Sequence, residues 1–253
     1  EELSTIAHKL RDLLDPDALT VDGRTLVSHL DGASVWDPEV IRSRDNPLLA
    51  DAGIAVLRGS LAPDGAVIKP AAATASLLQH RGPAVVFESI EDMHVRIDDP
   101  DLDVQADSVL VLRGCGPRGY PGMPEVGNMP LPAKLLSLGV RDMVRVSDAR
   151  MSGTAYGTVI LHVSPEAAAG GPLALVRNGD PVVVDLPSRR LDIDIPADDL
   201  ASRSPSPEAA AAYATPRRGW ERVYVAHVTQ ASAGVGLDIR VAAYDALVKR
   251  DDP

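Results

Sequence analysis

Beyond residue 53, the sequence is a succession of short β-prone runs separated by glycine and proline, and this pattern limits the possible folds more than any other feature. The chain contains 20 Gly and 21 Pro, which interrupt most patterns that could grow into a long helix. Strands are predicted at residues 54–58, 66–69, 84–88, 108–112, 143–147, 159–163, 173–176, 182–185, 191–195 and 223–228. Many short strands with little helix favour a closed barrel or a sandwich.

Two of these strands indicate what surrounds them. Residues 191–195 alternate between apolar and acidic side chains, which predicts one buried face and one solvent-facing side. Residues 182–184 are three consecutive valines, a run typical of a strand covered on both faces. Aromatic residues make up only 3% of the chain, so the core must consist mainly of Val, Leu, Ile and Ala.

Helical patterns are few. Residues 71–80 are one candidate, and residues 131–138 are another, placed between Pro130 and Gly139 in the way that helices start and stop. Apolar residues also recur at helical spacing over residues 3–14, before Asp15 and Pro16. Residues 18–23 predict a short strand and turn, and residues 202–212 predict a surface connector that ends in a helix.

Length and charge exclude several classes of protein. A chain of 253 residues can form one large domain or two small ones. The net charge of −11 argues against a nucleic-acid partner, because binding phosphates requires clustered Lys and Arg, but a local arginine or a metal could still hold an anionic substrate. No apolar run approaches the ~20 residues that span a membrane, and no signal peptide is visible, so the sequence predicts a cytoplasmic protein.

The motif most suggestive of chemistry is the run of residues 146–157, which follows a strand predicted over residues 142–147. In it, Ser152 and Thr154 flank Gly153, so two small hydroxyl groups lie on a turn that a ligand can approach closely. An ordinary Ser/Thr turn that satisfies local backbone groups is the alternative. A second run, residues 121–130, lies just upstream and contains Glu125 and Asn128.

Together the two runs resemble the dihydroxy-acid dehydratase and 6-phosphogluconate dehydratase family, over about residues 17–238. Branched-chain members usually carry an Arg-Phe-Ser-Gly-Gly type of turn where this chain has Arg-Met-Ser-Gly-Thr at residues 150–154, so the similarity is greatest to the sugar-acid branch. The resemblance implies an eight-stranded β-barrel over residues 17–253, akin to the swivelling domain of aconitase-like enzymes. Residues 1–16 would then be the last helix of an absent amino-terminal domain.

The resemblance also implies roles for three residues. Ser152 matches the serine proposed as the base, and Thr154 matches a neighbouring hydroxyl that holds the substrate or orients that serine. Glu125 matches a glutamate that binds magnesium from this domain. The alternative for Glu125 is a solvated loop residue.

Other polar residues carry weaker signals. Asn128, Arg150 and Tyr120 are predicted as weak substrate-binding residues, with a helix cap as the alternative for Asn128 and a surface role for Tyr120. An ion pair between Asp148 and Arg150 is favoured over a catalytic role for either residue. Lys69 is interpreted as a surface lysine, and His227 as a structural histidine in a strand.

The single cysteine limits the cofactors that this chain can bind alone. Members of the resembled family hold an iron–sulfur cluster through amino-terminal cysteines and also bind Mg²⁺. Cluster ligation takes several thiolates, and Cys115 lies where the family has no cluster ligand, so no cluster ligand is expected in this chain.

The resemblance therefore implies the carboxy-terminal half of a hydro-lyase, which dehydrates a sugar acid to a 2-keto-3-deoxy acid and is inactive as an isolated chain. Its partners would be the sugar acid, the amino-terminal domain in cis or in trans, and other copies in a homo-oligomer. Two alternatives remain at this point: a stand-alone barrel that acts as a binding or partner subunit, and a swivelling domain of an aconitase-type isomerase. Residues 240–253 depart from the expected family ending.

Overall fold

The computed structural model describes residues 13–30, 32–50, 53–126, 128–214 and 216–238, and the chain divides into two compact units, Glu1–Asp51 and Ala52–Pro253. In the first unit, an isolated β-bridge joins Leu19 to Thr25 and is followed by the 3-10 helix Leu26–His29. The predicted helix at residues 3–14 and the divergent tail lie almost entirely outside the described residues. The proposed domain boundary at residue 16 therefore stays a prediction.

The second unit is built on one eight-stranded sheet. Its strands are β1 (Ala55–Leu57), β2 (Gly65–Ile68), β3 (Gln79–Phe87), β4 (Val109–Leu112), β5 (Arg145–Ser147), β6 (Val159–Ser164), β7 (Pro181–Asp185) and β8 (Arg190–Ile193). The order across the sheet is β1-β2-β6-β5-β4-β3-β7-β8. Neighbours are parallel from β3 through β4 and β5 to β6, and antiparallel elsewhere.

The two edge strands of this sheet, β1 and β8, meet at one end, so that the sheet nearly closes into a barrel. A single β-bridge joins Arg58 to Arg190, and the Leu191 amide donates to the Arg58 carbonyl at 3.0 Å. Gly59 permits this approach, because a Cβ atom at that position would lie 2.2 Å from the Leu191 carbonyl oxygen. The predicted barrel is therefore confirmed, with one seam that is only partly sealed.

The central parallel strands are buried on both faces. In β4, Val109 and Val111 face the barrel interior, whereas Leu110 and Leu112 pack into a second core outside the barrel. The second core also contains the apolar side of the helix α1 (Ile90–Arg96), through Ile90 and Met93. Because these strands cannot move without disturbing two cores, they form a rigid base for the loops that follow them.

Five short α-helices occur among the described residues: α1, α2 (Ala133–Ser137), α3 (Ala197–Ser202), α4 (Pro207–Ala212) and α5 (Gly219–His227). The predicted helix at residues 131–138 is confirmed by α2, and the predicted connector helix by α4. Short 3-10 helices lie at Pro70–Ala72, Ala75–Leu77, Ala167–Ala169, Pro172–Leu175 and Ala231–Ala233. Within the described residues, no helix is long and apolar enough to cross a membrane.

The helix predicted at residues 71–80 is wrong. Two 3-10 turns replace it, and β3 already begins at Gln79. Thr74 separates the turns in an extended conformation, with its backbone amide bonded to Thr158 Oγ1 and its hydroxyl bonded to Asp142. These tertiary hydrogen bonds replace the intrahelical ones that residue 74 would have made.

Two predicted strands are also wrong. Residues 173–176 form a 3-10 turn, because the carbonyl groups of Leu173, Ala174 and Val176 all converge on the Arg113 guanidinium, whereas carbonyls alternate in a strand. Residues 223–228 belong mostly to α5, so His227 ends a helix, where its Nδ1 lies 3.0 Å from Asp238 Oδ1.

Of the two predictions about strand burial, the one for β8 is confirmed and the one for β7 is wrong. Leu191 and Ile193 are buried and Asp192 is not, which confirms the predicted one-sided burial of β8. The valine run of β7 is covered on one face only, since Val182 and Val184 are buried and Val183 is half-buried. β7 lies next to β8 near the partly sealed seam, away from the second core, so its outer face has less cover.

Candidate active site

Both sequence motifs leave the same edge of the sheet. The strands β4 and β5 are parallel neighbours, so their carboxyl ends meet at one end of the barrel. Residues 113–132 follow β4 and contain Glu125, and residues 148–158 follow β5 and contain Ser152. We call these segments the Glu125 loop and the Ser152 loop. The carboxyl ends of parallel strands are where ligands bind in many α/β proteins, which makes this edge the candidate site.

Asp148 joins the two loops where they begin. Its fully buried carboxylate accepts hydrogen bonds from the backbone amides of Gly114 at 3.2 Å, Cys115 at 2.9 Å and Ala167 at 3.0 Å. Burial raises the pKa of Asp148 to about 6. The predicted ion pair between Asp148 and Arg150 is therefore wrong, because Asp148 bonds to backbone amides inside the protein.

Arg150 instead points toward the Glu125 loop. Its Nη1 lies 3.0 Å from Glu125 Oε1, and its Nε donates to the Met123 carbonyl at 3.2 Å. The Glu125 and Arg150 side chains are 43% and 49% exposed, so this ion pair is open to solvent. The structure thus brings two of the predicted site residues into direct contact.

Ser152 and Thr154 lie side by side on the other loop. Their hydroxyl oxygens are 3.1 Å apart, and the Thr154 amide lies 3.3 Å from Ser152 Oγ. Ser152 is half-buried, whereas Thr154 is exposed. The bond to the Thr154 amide is the local contact of an ordinary Ser turn, and the pair of hydroxyls remains within reach of a ligand.

Lys69 has contacts with the candidate site that the sequence interpretation as a surface lysine did not foresee. The residue is half-buried, and its Nζ donates to the carbonyls of Ser152 at 2.9 Å and Gly153 at 2.8 Å. Lys69 directly follows the apolar strand β2. A charged residue at the end of an apolar strand is the signal that the sequence offered for a role of Lys69 at this site. His162 of β6 was also overlooked, and its Nε2 accepts a hydrogen bond from the Met151 amide at 2.9 Å.

The far end of the Ser152 loop is held by a buried ion pair. Arg145 Nη2 lies 2.9 Å from Asp142 Oδ1, with side chains only 7% and 6% exposed, and also donates to the Tyr156 carbonyl. Burial by itself would raise the pKa of Asp142, but hydrogen bonds from Thr74 and Thr158 and the Arg145 charge lower it. The carboxylate of Asp142 therefore stays charged and keeps this end of the loop in place.

A glycine is required where the Ser152 loop returns to the sheet. Gly157 has a φ of +88°, and a Cβ atom there would lie 2.1 Å from Arg145 Nη2. Its amide donates to the Ala72 carbonyl at 2.9 Å. The second glycine of the motif thus serves close backbone packing against the Asp142–Arg145 pair.

The remaining predicted residues, Tyr120 and Asn128, also belong to the Glu125 loop. Tyr120 is half-buried and its hydroxyl lies 3.4 Å from Glu91 Oε1. Asn128 is exposed, and it does not cap α2, whose first amide, that of Ala133, bonds to Asp98 Oδ1 at 2.8 Å. Roles of Tyr120, Asn128 and Arg150 in substrate binding stay predictions.

The described residues do not form a metal site by themselves. Among them, no group of three or more His, Cys, Asp or Glu side chains is arranged to hold a metal ion. Glu125 offers one exposed carboxylate of the type that Mg²⁺ prefers, but Arg150 already balances its charge. The role of Glu125 as a metal ligand stays a prediction.

Cys115 does not have the surroundings of a metal ligand. It is completely buried in the second core, and this burial raises the pKa of its thiol far above the ordinary value. A buried, protonated thiol in apolar surroundings is inert, so an iron–sulfur cluster would need cysteines from outside this chain.

The fold and the site define a β-barrel domain that presents hydroxyl and carboxylate groups on two loops at one end. Residues 39–235 match the family model described as "Dihydroxy-acid/6-phosphogluconate dehydratase C-terminal". The chain therefore belongs to this family, and the resemblance seen in the sequence is confirmed.

Similar proteins include both sugar-acid and dihydroxy-acid dehydratases. The L-arabonate dehydratase of Azospirillum brasilense is 55% identical over 240 residues, which are 93% of this chain and 41% of that protein. The L-arabinonate dehydratase of Rhizobium leguminosarum bv. trifolii is 51% identical over 89% of this chain and 39% of that protein. A dihydroxy-acid dehydratase of Acetivibrio thermocellus is 40% identical over 90% of this chain and 40% of that protein. The chain spans about two fifths of the length of the curated relatives that it matches.

Proposed function

We propose that this chain is the carboxy-terminal domain of a sugar-acid dehydratase, a hydro-lyase that converts a 2,3-dihydroxy acid into a 2-keto-3-deoxy acid. Family membership supports dehydratase chemistry. The identity of 55% to an L-arabonate dehydratase, against 40% to a dihydroxy-acid dehydratase, supports a sugar acid as the substrate. As an isolated chain, the domain is proposed to be inactive.

The observation that carries this proposal is the pair of hydroxyl groups on the Ser152 loop. Ser152 Oγ and Thr154 Oγ1 lie 3.1 Å apart, and the loop is held at both ends by side chains from other strands. A base must be held in place to remove a weakly acidic C–H proton, and a fixed loop provides this. The Glu125 carboxylate of the neighbouring loop forms an ion pair with Arg150, which lies two residues before Ser152.

In the proposed reaction, the deprotonated Ser152 hydroxyl takes the proton from C2 of the substrate. The C2–C3 double bond forms as the C3–oxygen bond breaks, and the leaving hydroxyl group takes up the proton held by Ser152 and departs as water. The resulting enol then gains a proton at C3 and loses the proton of its C2 hydroxyl group, which gives the 2-keto-3-deoxy acid. Thr154 is proposed to hold the substrate or to orient Ser152 through their hydrogen bond.

The complete protein is proposed to use an iron–sulfur cluster and Mg²⁺, with Glu125 as one magnesium ligand. A cation bound beside the loops would supply the positive charge that a serine hydroxyl needs in order to lose its proton near neutral pH. Arg150 contacts Oε1 of Glu125 at 3.0 Å, so the other carboxylate oxygen, Oε2, is the one proposed to meet the cation. The remaining ligands are proposed to come from an amino-terminal domain.

The proposed partners are the sugar acid, this amino-terminal domain in cis or in trans, and further copies in a homo-oligomer. The cytoplasmic location stays a prediction from the sequence. The stand-alone binding barrel is the alternative to the dehydratase.

The first test is the dehydration of L-arabonate and D-xylonate by the complete polypeptide that carries this chain and its amino-terminal domain. Ser152→Ala should lower kcat about 10²–10⁴-fold, which is the usual contribution of a general base. Ser188→Ala is the matched control, because Ser188 lies in the exposed turn between β7 and β8 and should leave kcat unchanged. Equal activity of both variants would rule out Ser152 as the base.

A second measurement separates the dehydratase from the stand-alone barrel. The protein from its native source should have an intact mass well above the 26.7 kDa of this chain, or copurify with a second polypeptide, and should contain iron. A protein of 26.7 kDa without iron or partner would instead favour the stand-alone binding barrel.

A further inference from the structure

Two side chains from other parts of the barrel unit bind the backbone on either side of Ser152 along the chain. Lys69 comes from the end of β2, and His162 comes from β6. The Lys69 ammonium donates to the carbonyls of Ser152 and Gly153. The His162 imidazole accepts a hydrogen bond from the amide of Met151, the residue before the serine. Both side chains contact backbone atoms, so they help to determine where the serine lies without bonding to its hydroxyl, whose described contacts are with Thr154.

The contact made by His162 depends on an irregular strand. The register between β2 and β6 shifts between Gly65 and Val67, so that β6 contains one extra residue at this point. His162 adopts a φ of +56° there, a conformation that is unusual for a residue with a side chain. Such bulges re-aim side chains, and this one turns the imidazole toward the Met151 amide at 2.9 Å.

The imidazole must be neutral to make this contact. An imidazole Nε2 that accepts a hydrogen bond carries no proton, so the ring proton resides on Nδ1. Burial, together with the positive charge of Arg150, lowers the pKa of His162 and favours this neutral form. The same bulge brings the His162 amide within 3.0 Å of the Ala149 carbonyl, so backbone and ring hold the loop together.

Lys69 acts on the other side of the turn. Its ammonium group uses two of its three donors on two consecutive carbonyls, at 2.9 and 2.8 Å. The two carbonyls belong to a turn in which the Thr154 amide bonds to Ser152 Oγ and the Ala155 amide bonds to the Ser152 carbonyl. Their shared contact with one ammonium group stabilises this turn. Removing the ammonium would leave these carbonyls without a common partner and let the turn open.

We propose that Lys69 and His162 are positioning residues that keep Ser152 aligned for proton abstraction, an inference that rests on the proposed role of Ser152 as the base. Neither residue needs to touch the substrate. A base displaced by about 1 Å loses on the order of 100-fold in rate, so loss of either contact should lower kcat far more than it alters KM.

Lys134 provides a matched control for Lys69. Its Nζ, on α2, also bonds to two backbone carbonyls, those of Pro100 and Leu102, and neither carbonyl belongs to the Glu125 loop or the Ser152 loop. Lys69→Met and Lys134→Met therefore remove the same kind of contact, and both should reduce stability similarly. Only Lys69→Met should lower kcat, by about 100-fold with KM within about twofold, and Lys69→Arg should restore part of it.

The test for His162 uses two substitutions of similar length. His162→Gln keeps a hydrogen-bond acceptor and His162→Met does not, while neither substitution favours the positive φ. The difference between the two variants therefore isolates the hydrogen bond to Met151. His162→Met should lower kcat more than His162→Gln does. Both variants should be compared in the complete polypeptide.

Amide hydrogen exchange provides a readout that does not depend on activity. In the complete polypeptide, Lys69→Met should speed exchange at Thr154 and Ala155, and His162→Met should speed exchange at Met151, each at least about tenfold. Lys134→Met should leave these three amides unchanged. Unchanged exchange in the Lys69 and His162 variants would overturn the inference.

The outcomes separate this inference from the proposed function. If the wild type dehydrates no sugar acid, or Ser152→Ala retains full activity, the proposed function fails and the positioning role fails with it. If the wild type is active and Ser152→Ala is not, yet Lys69→Met and His162→Met keep the wild-type kcat, the positioning role alone is wrong.

Discussion

The two loops of the candidate site are held in different ways. Beyond its first residues, the Ser152 loop is held by groups from other parts of the barrel unit, among them Lys69, His162, Arg145 and the Ala72 carbonyl. The Glu125 loop is anchored where it begins, by Asp148 and by the buried Glu166, which accepts bonds from the Arg118 and Gly119 amides, and near its end, where Arg145 Nη1 donates to the buried Met129 carbonyl at 3.0 Å. At Glu125 itself, the described contact is one exposed ion pair with Arg150.

This difference matches the tasks proposed for the loops. A general base works best when its position is set before the substrate binds, because the chemistry is sensitive to small displacements. A ligand that must meet a cation held mainly by another domain gains from some freedom to adjust. We therefore propose that Ser152 is preorganised and that the Glu125 side chain, which makes an exposed ion pair, can adjust; the following predictions test that contrast.

The largest expected effect is on the anchor of the Ser152 loop. Arg145→Met would leave the buried Asp142 carboxylate without its cation and should lower the free energy of unfolding by about 3–5 kcal/mol. Arg81→Met removes a similar pair with Asp194 that is 60% exposed on both sides, and should cost at most about 1 kcal/mol. Urea unfolding of the chain measures both. Equal losses would show that the loop anchor is no more important than a surface pair.

The next prediction concerns the pH dependence of stability and the Asp148 carboxylate, which joins the two loops. The pKa of Asp148 is about 6 in the folded chain against an ordinary 3.8, so the folded state holds more protons between these values. Its contribution to stability is therefore fully present below pH 3.8 and is lost as the pH rises through 6. The stability of the wild type relative to Asp148→Asn should fall by roughly 2–3 kcal/mol between pH 4 and pH 7.

Urea unfolding at several pH values checks this prediction. Asp64→Asn, a change at an exposed turn, should keep the pH dependence of the wild type. A pH-independent difference between the wild type and Asp148→Asn would mean that this carboxyl group does not titrate near 6 in the folded chain.

The smallest effect on stability is expected at Glu125. Glu125→Gln breaks an ion pair that is about half exposed on both sides and should change the free energy of unfolding by less than about 1 kcal/mol. In the complete polypeptide, it should nevertheless lower activity and raise the Mg²⁺ concentration needed for half-maximal rate. A loss of stability comparable to that of Arg145→Met would contradict the contrast between the two loops.

Much of the barrel could be predicted from short-range patterns. Eight of the ten predicted strands exist, because β-branched runs between Gly and Pro signals need no tertiary information to be recognised. The failures occur where distant groups intervene, as when Arg113 gathers the carbonyls of residues 173–176 and when Asp142 and Thr158 bind Thr74. The helix α1 was missed although Ser89 caps it by accepting a bond from the Asp92 amide, a signal that the sequence did contain.

In the candidate site, too, residues in contiguous motifs could be predicted and residues brought in by tertiary contacts could not. Ser152, Thr154 and Glu125 could be proposed from their motifs, because each motif is contiguous in the sequence. Lys69 and His162 could not, since they lie in other strands and act on the loop through backbone atoms. A hydrogen bond to a backbone group leaves no pattern in the residue types of the loop that receives it.

The sequence by itself determined the family, the β-rich class of fold and the short list of groups able to do chemistry, because these depend on local composition and contiguous motifs. Only the tertiary structure decided that Arg150 pairs with Glu125 instead of Asp148, and that a bulged histidine and a lysine hold the Ser152 loop. The physical reason is that these contacts join residues far apart in the chain, and the parallel arrangement of β4, β5 and β6 brings such residues close together.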